Sequence, residues 1–213
     1  MHGRFSSAES ELLEATRLDP EWLPSYYRIG RLYLRTGRLQ EGIAKFDEAL
    51  EKNPDSLRTA FLTGYLHQRN GDLKTAKNRY QRILNKNPDF LPAANNLAYL
   101  IAENTSDPDE LARALELAER TVKKETPPAT ALDTLGWIYY KLGDADQALR
   151  QFNKAMEKDP DNPTLGYHLA HVLYEEGRPG DAEPLLARTI QAADRPFPEQ
   201  QAAKALIQTI RND

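Results

Sequence analysis

Two kinds of punctuation recur along this chain with a shared period. Asp19-Pro20, Asn53-Pro54, Asn87-Pro88 and Asp159-Pro160 are separated by 34, 34 and 72 residues, and Gly37, Gly71, Gly143 and Gly177 by 34, 72 and 34. Because 72 is twice 34 plus four, both series place one further unit between residues 91 and 128, carrying a four-residue insertion. A fixed period of about 20–50 residues restricts a chain to repeat architectures, in which each unit is one supersecondary element that buries its apolar face only against its neighbours.

Counting back from each proline divides the chain into five blocks: 23–56, 57–90, 91–128, 129–162 and 163–196. Each block holds two stretches with apolar residues at helical spacing, such as Ile29, Leu32 and Tyr33 followed by Ile43, Phe46, Ala49 and Leu50. Small residues at Gly30, Gly64, Ala98, Gly136 and Ala170 allow two helices to approach closely, while Tyr33 or Phe46 fills the space beside them. The glycine between the helices can take a positive φ at the end of the first, and the Asp-Pro or Asn-Pro pair stops the second.

The blocks resemble the tetratricopeptide repeat (TPR) family. Where that family's pattern has Trp, Leu, Gly, Tyr, Ala, Phe, Ala and Pro, the first block has Tyr26, Ile29, Gly30, Tyr33, Gly42, Phe46, Ala49 and Pro54. The second has Ala60, Thr63, Gly64, His67, Ala76, Tyr80, Ile83 and Pro88, and the fourth Leu132, Leu135, Gly136, Tyr139, Ala148, Phe152, Ala155 and Pro160. The fifth keeps Leu169, Ala170, Leu173, Ala182 and Leu186. The resemblance implies an all-α, right-handed α-solenoid of five TPR helix-turn-helix repeats.

The ends extend this pattern. Residues 1–22 read as a partial repeat, its second helix only, with Ala8, Leu12 and Ala15 in register and Asp19-Pro20 as terminator. The expectation is a segment excised from a longer protein, with a one-helix natural cap as the alternative. Residues 197–213 read as a capping helix from about Pro198 to Arg211, with Ala202, Ala205, Leu206 and Ile210 as its apolar residues. The third block departs furthest: a loop from Asn104 to Glu110 is expected to replace its tight turn. Its run from Asn96 through Ala114 to Trp137 is similar to the C-terminal repeats of bacterial TPR proteins of exopolysaccharide or envelope export.

Charge and composition narrow the partner. Residues 1–90 carry 15 Lys+Arg against 12 Asp+Glu, and residues 91–213 carry 13 against 20, so the two stretches stand at +3 and −7. A partner of opposite polarity would be steered into one orientation. The net charge of −4 disfavours nucleic acid. Absence of cysteine excludes disulfides and thiolate metal sites. No apolar run reaches the length of a membrane span, so direct membrane insertion of this segment is not expected, and the compartment, cytoplasmic or periplasmic, stays open. Asn104-Thr105-Ser106 is formally a glycosylation acceptor but reads as an ordinary loop.

In the TPR family the second, fifth, ninth and twelfth positions of each first helix face the concave groove. The resemblance assigns to that groove Tyr27, Arg31, Arg58, Phe61, Tyr65, Asn95, Tyr99, Asp133, Trp137, Tyr140, Tyr167, His171 and Tyr174. Eight of these are aromatic, and some are expected to pack against neighbouring repeats. Rings beside Arg and Asn suit an extended peptide, giving flat apolar contact next to groups that bind its backbone; they also suit a glycan. The carboxylate clamp of TPR co-chaperones is not reproduced, since Tyr27, Arg31, Leu62, Pro92 and Asn96 stand at its positions.

His168, His171 and Glu175 share helical spacing that a metal could use, although hydrogen bonding is the simpler role for two groove histidines. Asp133 could act as a general base only with a nucleophile or acid partner, and the sequence supplies no glycine-rich phosphate loop or recognisable catalytic triad. The expected function is a non-catalytic scaffold that binds a protein or peptide, with no cofactor. The alternatives are an export or biofilm component holding a polysaccharide or its synthase, and the recruiting arm of a larger enzyme.

Overall fold

A computed structural model describes residues 2–123, 125–193, 197 and 199–212, with the side chains of residues 2–6 excepted. Among the described residues it contains twelve α-helices and no strand. They are α1 (His2–Leu18), α2 (Leu23–Arg35), α3 (Leu39–Lys52), α4 (Leu57–Arg69), α5 (Leu73–Lys86), α6 (Leu91–Asn104), α7 (Pro108–Val122), α8 (Ala129–Lys141), α9 (Ala145–Lys158), α10 (Pro163–Glu175), α11 (Pro179–Ala192) and α12 (Gln200–Asn212). Five of the helices thus begin on the first residues of the five blocks. The chain divides into two compact units, Met1–Ala93 and Ala94–Asp213.

The turns inside the helix pairs follow from the glycines. Gly37, Gly71, Gly143 and Gly177 have φ of 68°, 83°, 82° and 71°, the left-handed region that side-chain-bearing residues rarely enter. Each closes its helix with the same pair of backbone bonds. After α2, for example, Arg38 N–H donates to the Tyr33 carbonyl (3.0 Å) and Gly37 N–H to that of Leu34 (3.3 Å), satisfying carbonyls the helix end leaves free. The following helix starts on a polar cap: Asp72 accepts from Thr75 N–H (3.1 Å) and Asp144 from Gln147 N–H (2.9 Å). At the equivalent place before α3 and α11, Arg38 and Arg178 provide no such bond.

The four extra residues of the third block are not gathered in one loop. The α6–α7 turn is residues 105–107, as short as the three-residue turns of the other blocks. Relative to 13- and 14-residue helices elsewhere, α6 and α7 are 14 and 15 residues long, and the connection 123–128 holds the other two. The expected loop from Asn104 to Glu110 is therefore corrected: α6 runs on through Asn104, whose amide donates to the Leu100 carbonyl (2.8 Å), and α7 is capped early enough to start at Pro108. Asp107 caps α7 by accepting from Asp109 N–H (2.9 Å), and Pro108 suits the first helical position.

In the unit Met1–Ala93, α1 packs on α2, α2 on α3 and α4, α3 on α4, and α4 on α5. Tyr26, Ile29, Tyr33, Ile43, Phe46, Leu62 and Leu66 form its buried cluster, with Leu12 and Leu13 of α1 against it. A polar network reinforces this join. The nearly buried Glu9 carboxylate accepts from Tyr33 Oη (2.6 Å), Arg38 Nη1 (2.8 Å) and Lys45 Nζ (2.9 Å). Burial alone would raise its pKa; bonds from Lys45, Tyr33 and Arg38 outweigh that and hold it at about 2. A similar join follows: Asp47, which is not the repeat equivalent of Glu9, meets His67 (2.9 Å) and Arg79 (3.2 Å), which do occupy the repeat places of Tyr33 and Lys45.

In the unit Ala94–Asp213, α7 packs on α8, α8 on α9 and α10, α9 on α10, α10 on α11 and α12, and α11 on α12. Phe152 is fully buried among Ala148, Leu169, Ala170, Leu173, Ala182 and Leu186. Gly136 makes room for it, because a Cβ there would stand 2.9 Å from the Phe152 ring. The buried face of α12 differs from the expected one. Ala203 and Ile207 are buried, with Leu206 and Ile210 packed beside them, whereas Ala202 and Ala205 are exposed. Expected Pro198 lies outside the described residues.

Candidate functional site

The residues assigned to a groove fall in two groups, one in each unit. In the first unit Tyr27 of α2 is exposed and meets two rings of α4 edge-on: Phe61, with centroids 5.3 Å apart, and Tyr65, 6.2 Å apart. The close approach depends on Gly30, where a Cβ would lie 3.1 Å from the Tyr65 ring. Tyr65 remains half-buried and Arg31 exposed. Burial raises the Tyr65 pKa, while the positive charges of Arg69 and Arg31 oppose the rise, so this aromatic patch has a basic rim.

Two assignments in this unit are corrected. Phe61 is 1% exposed and belongs to the core, packed against Tyr80 and Phe90 at 5.9 and 5.7 Å. It occupies the same helix position as Tyr27, but the Tyr80 and Phe90 rings pack on it. Arg58 is turned onto its own unit: its guanidinium pairs with Glu21 (2.8 Å) and lies over the Phe90 ring (5.0 Å).

In the second unit α8 and α10 bring together Trp137, Tyr140, Tyr167 and His171, all half-buried. Trp137 and Tyr140 are 5.2 Å apart, Tyr140 Oη is 3.1 Å from His171 Nε2, and Tyr167 lies over His171 at 5.8 Å. Beneath them His168 stacks on Trp137, with centroids 4.5 Å apart and planes 25° from parallel. His168 is 2% exposed and its Nδ1 is 2.8 Å from Asp133 Oδ1. Burial lowers its pKa, but the charge and hydrogen bond of Asp133 prevail and raise it. His171, by contrast, is lowered by burial.

Asp133 is thus corrected from groove residue to buried partner of His168. With Nδ1 turned to Asp133, His168 does not share a metal-binding face with His171 and Glu175. Among the described residues no group of three His, Asp or Glu side chains is placed to hold a metal ion. Asn95, on α6, is half-buried with its Oδ1 fully buried and without a partner among the described residues. Tyr99 and Tyr174 are half-buried.

Three carboxylates edge this second cluster. Glu103 accepts from Trp137 Nε1, Glu199 accepts from Thr164 Oγ1 (2.9 Å), and Glu175 stands one turn after His171 on α10. The sequence reading missed Glu103, Glu199 and the stacking role of His168. Their signal lies in the period: Glu103 to Trp137, Asp133 to His168 and Thr164 to Glu199 are separations of 34, 35 and 35 residues. A polar pair about one repeat apart is a pair of spatial neighbours.

A separate recess of about 220 Å³ lies in the first unit, where α3, α4 and α5 meet. Leu50, Leu57 and Ile83 line it together with Asp47, Arg82 and Lys86, and none of the groove residues borders it.

Family models described as tetratricopeptide repeat match residues 24–56, 59–89, 109–161 and 139–207, together well over half of the chain. The chain belongs to the tetratricopeptide repeat family. No curated protein sequence matches it. Among solved structures, the TPR protein TTC0263 of Thermus thermophilus is 19% identical with a TM-score of 0.72, covering 90% of this chain and 100% of its own. PilW, a type IV pilus biogenesis factor, is 15% identical with a TM-score of 0.70, over 90% of this chain and 87% of that one. The APC/C hetero-tetramer Cut9–Hcn1 contains a chain 20% identical with a TM-score of 0.70, covering 98% of this chain and 40% of that one. These likenesses establish the all-α TPR solenoid fold. TPRs serve as protein-binding scaffolds, and that is the general role of this chain. Among the described residues no helix is long and apolar enough to cross a membrane.

Proposed function

We propose that this TPR protein is a non-catalytic scaffold that holds an extended segment of a partner protein against the aromatic patches of its first helices. Five TPRs, at 23–56, 57–90, 91–128, 129–162 and 163–196, with a partial repeat before and a capping helix after, make up that scaffold. The observation carrying the proposal is the set of rings left half-exposed: Tyr27 and Tyr65 in one unit, Trp137, Tyr140 and Tyr167 in the other. Packing within the repeats is already complete beneath them, with Phe61, Tyr80 and Phe152 filling the core. Rigid rings with few rotatable bonds lose little entropy on binding and concentrate binding energy.

PilW acts in pilus biogenesis and Cut9 is held with Hcn1 in a hetero-tetramer. Membership of a multi-protein assembly is the part of those roles carried to this chain. Titration of the wild type, Tyr65→Ala and Trp137→Ala against peptide and glycan arrays tests the proposal. Each substitution is expected to weaken peptide binding by about tenfold or more. Equal binding by all three defeats the assignment, and retention of glycans in place of peptides replaces it with the polysaccharide-holding alternative.

A further inference from the structure

We infer that the patch formed by Trp137, Tyr140 and Tyr167 is a site for a cationic side chain, Lys or Arg, of the partner segment. The inference rests on the proposed scaffold function and specifies the chemistry of what this unit takes. Two features converge. Rings present negative π-faces, which attract an ammonium or guanidinium held within about 6 Å of their centroids. Three of them stand here with partial exposure on α8 and α10, and His168 fixes the indole from one side. Carboxylates then edge the cluster. Glu103 is bonded to the indole N–H of Trp137, Glu199 is anchored by Thr164 on the α10 turn that carries Tyr167, and Glu175 follows His171 by four residues.

None of these three carboxylates is in an ion pair with a described residue. Their charge is felt by the cluster: Glu199 and Glu103 act with burial to raise the Tyr167 pKa, and Glu175 acts with burial on Tyr140. Aromatic faces edged by carboxylates without an ion-pair partner among the described residues repel an acidic ligand and give a neutral glycan no use for the charge. A guanidinium satisfies both, stacking on the indole or a phenol while bonding a carboxylate at the rim. The excess of acidic over basic residues in 91–213 acts in the same direction at longer range.

Calorimetric titration of the full chain with end-blocked Gly-Ser peptides tests this, the peptides carrying arginine or its neutral isostere citrulline at the same three positions. The arginine peptide is expected to bind at least about tenfold more tightly, with the advantage shrinking as salt is added. A triple variant, Glu103→Gln, Glu175→Gln and Glu199→Gln, keeps the amide oxygens that accept from Trp137 and Thr164 and is expected to bring the ratio close to one. Because the three residues lie at the surface, unchanged circular dichroism and melting separate this effect from unfolding. Equal affinity for the two peptides, or an arginine preference that survives the triple variant, overturns the inference. If array peptides then still bind and respond to Trp137→Ala, the scaffold reading stands while the cation site falls; if none binds, both fall.

Discussion

The two units use the same repeat and hold themselves together by different chemistry. In Met1–Ala93 the joins between successive helices are carboxylates reaching onward to bases: Glu9 to Tyr33, Arg38 and Lys45, then Asp47 to His67 and Arg79. In Ala94–Asp213 the corresponding places carry Glu119, Tyr139 and Gln151; the Glu119 charge acts with burial to raise the Tyr139 pKa, but Gln151 offers no positive charge. That unit instead has a buried acid–imidazole pair, Asp133 and His168, under a stack of rings. The aromatic patches differ in the same sense, with Arg31 and Arg69 beside one and Glu103, Glu175 and Glu199 around the other. One scaffold can therefore vary its surface charge unit by unit without altering the apolar positions that stack it.

The largest effect is expected from Asp133→Ala, which strands His168 in the core. Loss of one partner of a buried pair costs about 3–5 kcal/mol, and neutralisation of the imidazole brings the expectation to the lower end. Chemical denaturation should register that loss, with hydrogen exchange quickening in α8 and α10. Glu9→Gln should cost about 1–3 kcal/mol, because the neutral amide replaces the charge-assisted bonds that the nearly buried carboxylate accepts from Tyr33, Arg38 and Lys45. Here the faster exchange should appear in α1, α2 and α3; if it spread equally through α8–α12, the two units would not be held separately. The N-cap change Asp144→Ala should cost about 1 kcal/mol by thermal melting.

Protonation sharpens the contrast, because the two ties respond to opposite ends of the pH scale. The Glu9 pKa is depressed in the folded chain, so its contribution is complete above the ordinary value of 4.5 and is lost as pH falls through about 2. The His168 pKa is raised, so its contribution is complete below the ordinary value of 6.5 and is lost as pH rises through the folded value. NMR titration should show α1–α3 loosening in acid and the Trp137 environment changing as pH rises above the ordinary imidazole value of 6.5. Reversal of that order would contradict the pairing on which the contrast rests.

Much of this fold was legible in the residues. Helices starting at Leu23, Leu57, Leu91, Ala129 and Pro163, and turns closed by Gly37, Gly71, Gly143 and Gly177, follow from local rules of backbone conformation and capping. The site was less so, because the four helix positions treat every repeat alike. Phe61 shares the place of Tyr27 and yet is buried, since its fate depends on Tyr80 and Phe90 from later in the chain. Asp133 was read as a groove residue because its partner His168 stands one place off the groove register in the next block. In α12 the difference between Ala202 and Ala203 is one residue of helical phase, and only packing against α10 and α11 selects it.

The central claim, that partner binding occurs on the first-helix rings, is tested most directly by mapping which nuclei respond to a bound segment. Addition of the tightest peptide from the array to labelled protein is expected to shift most the signals of the ring patch it occupies, Tyr27 and Tyr65 or Trp137, Tyr140 and Tyr167, and to leave α5 and α11 nearly still. Shifts confined to Leu50, Arg82, Ile83 and Lys86, around the recess of α3, α4 and α5, would contradict it and move the binding site to the opposite elements of the repeat.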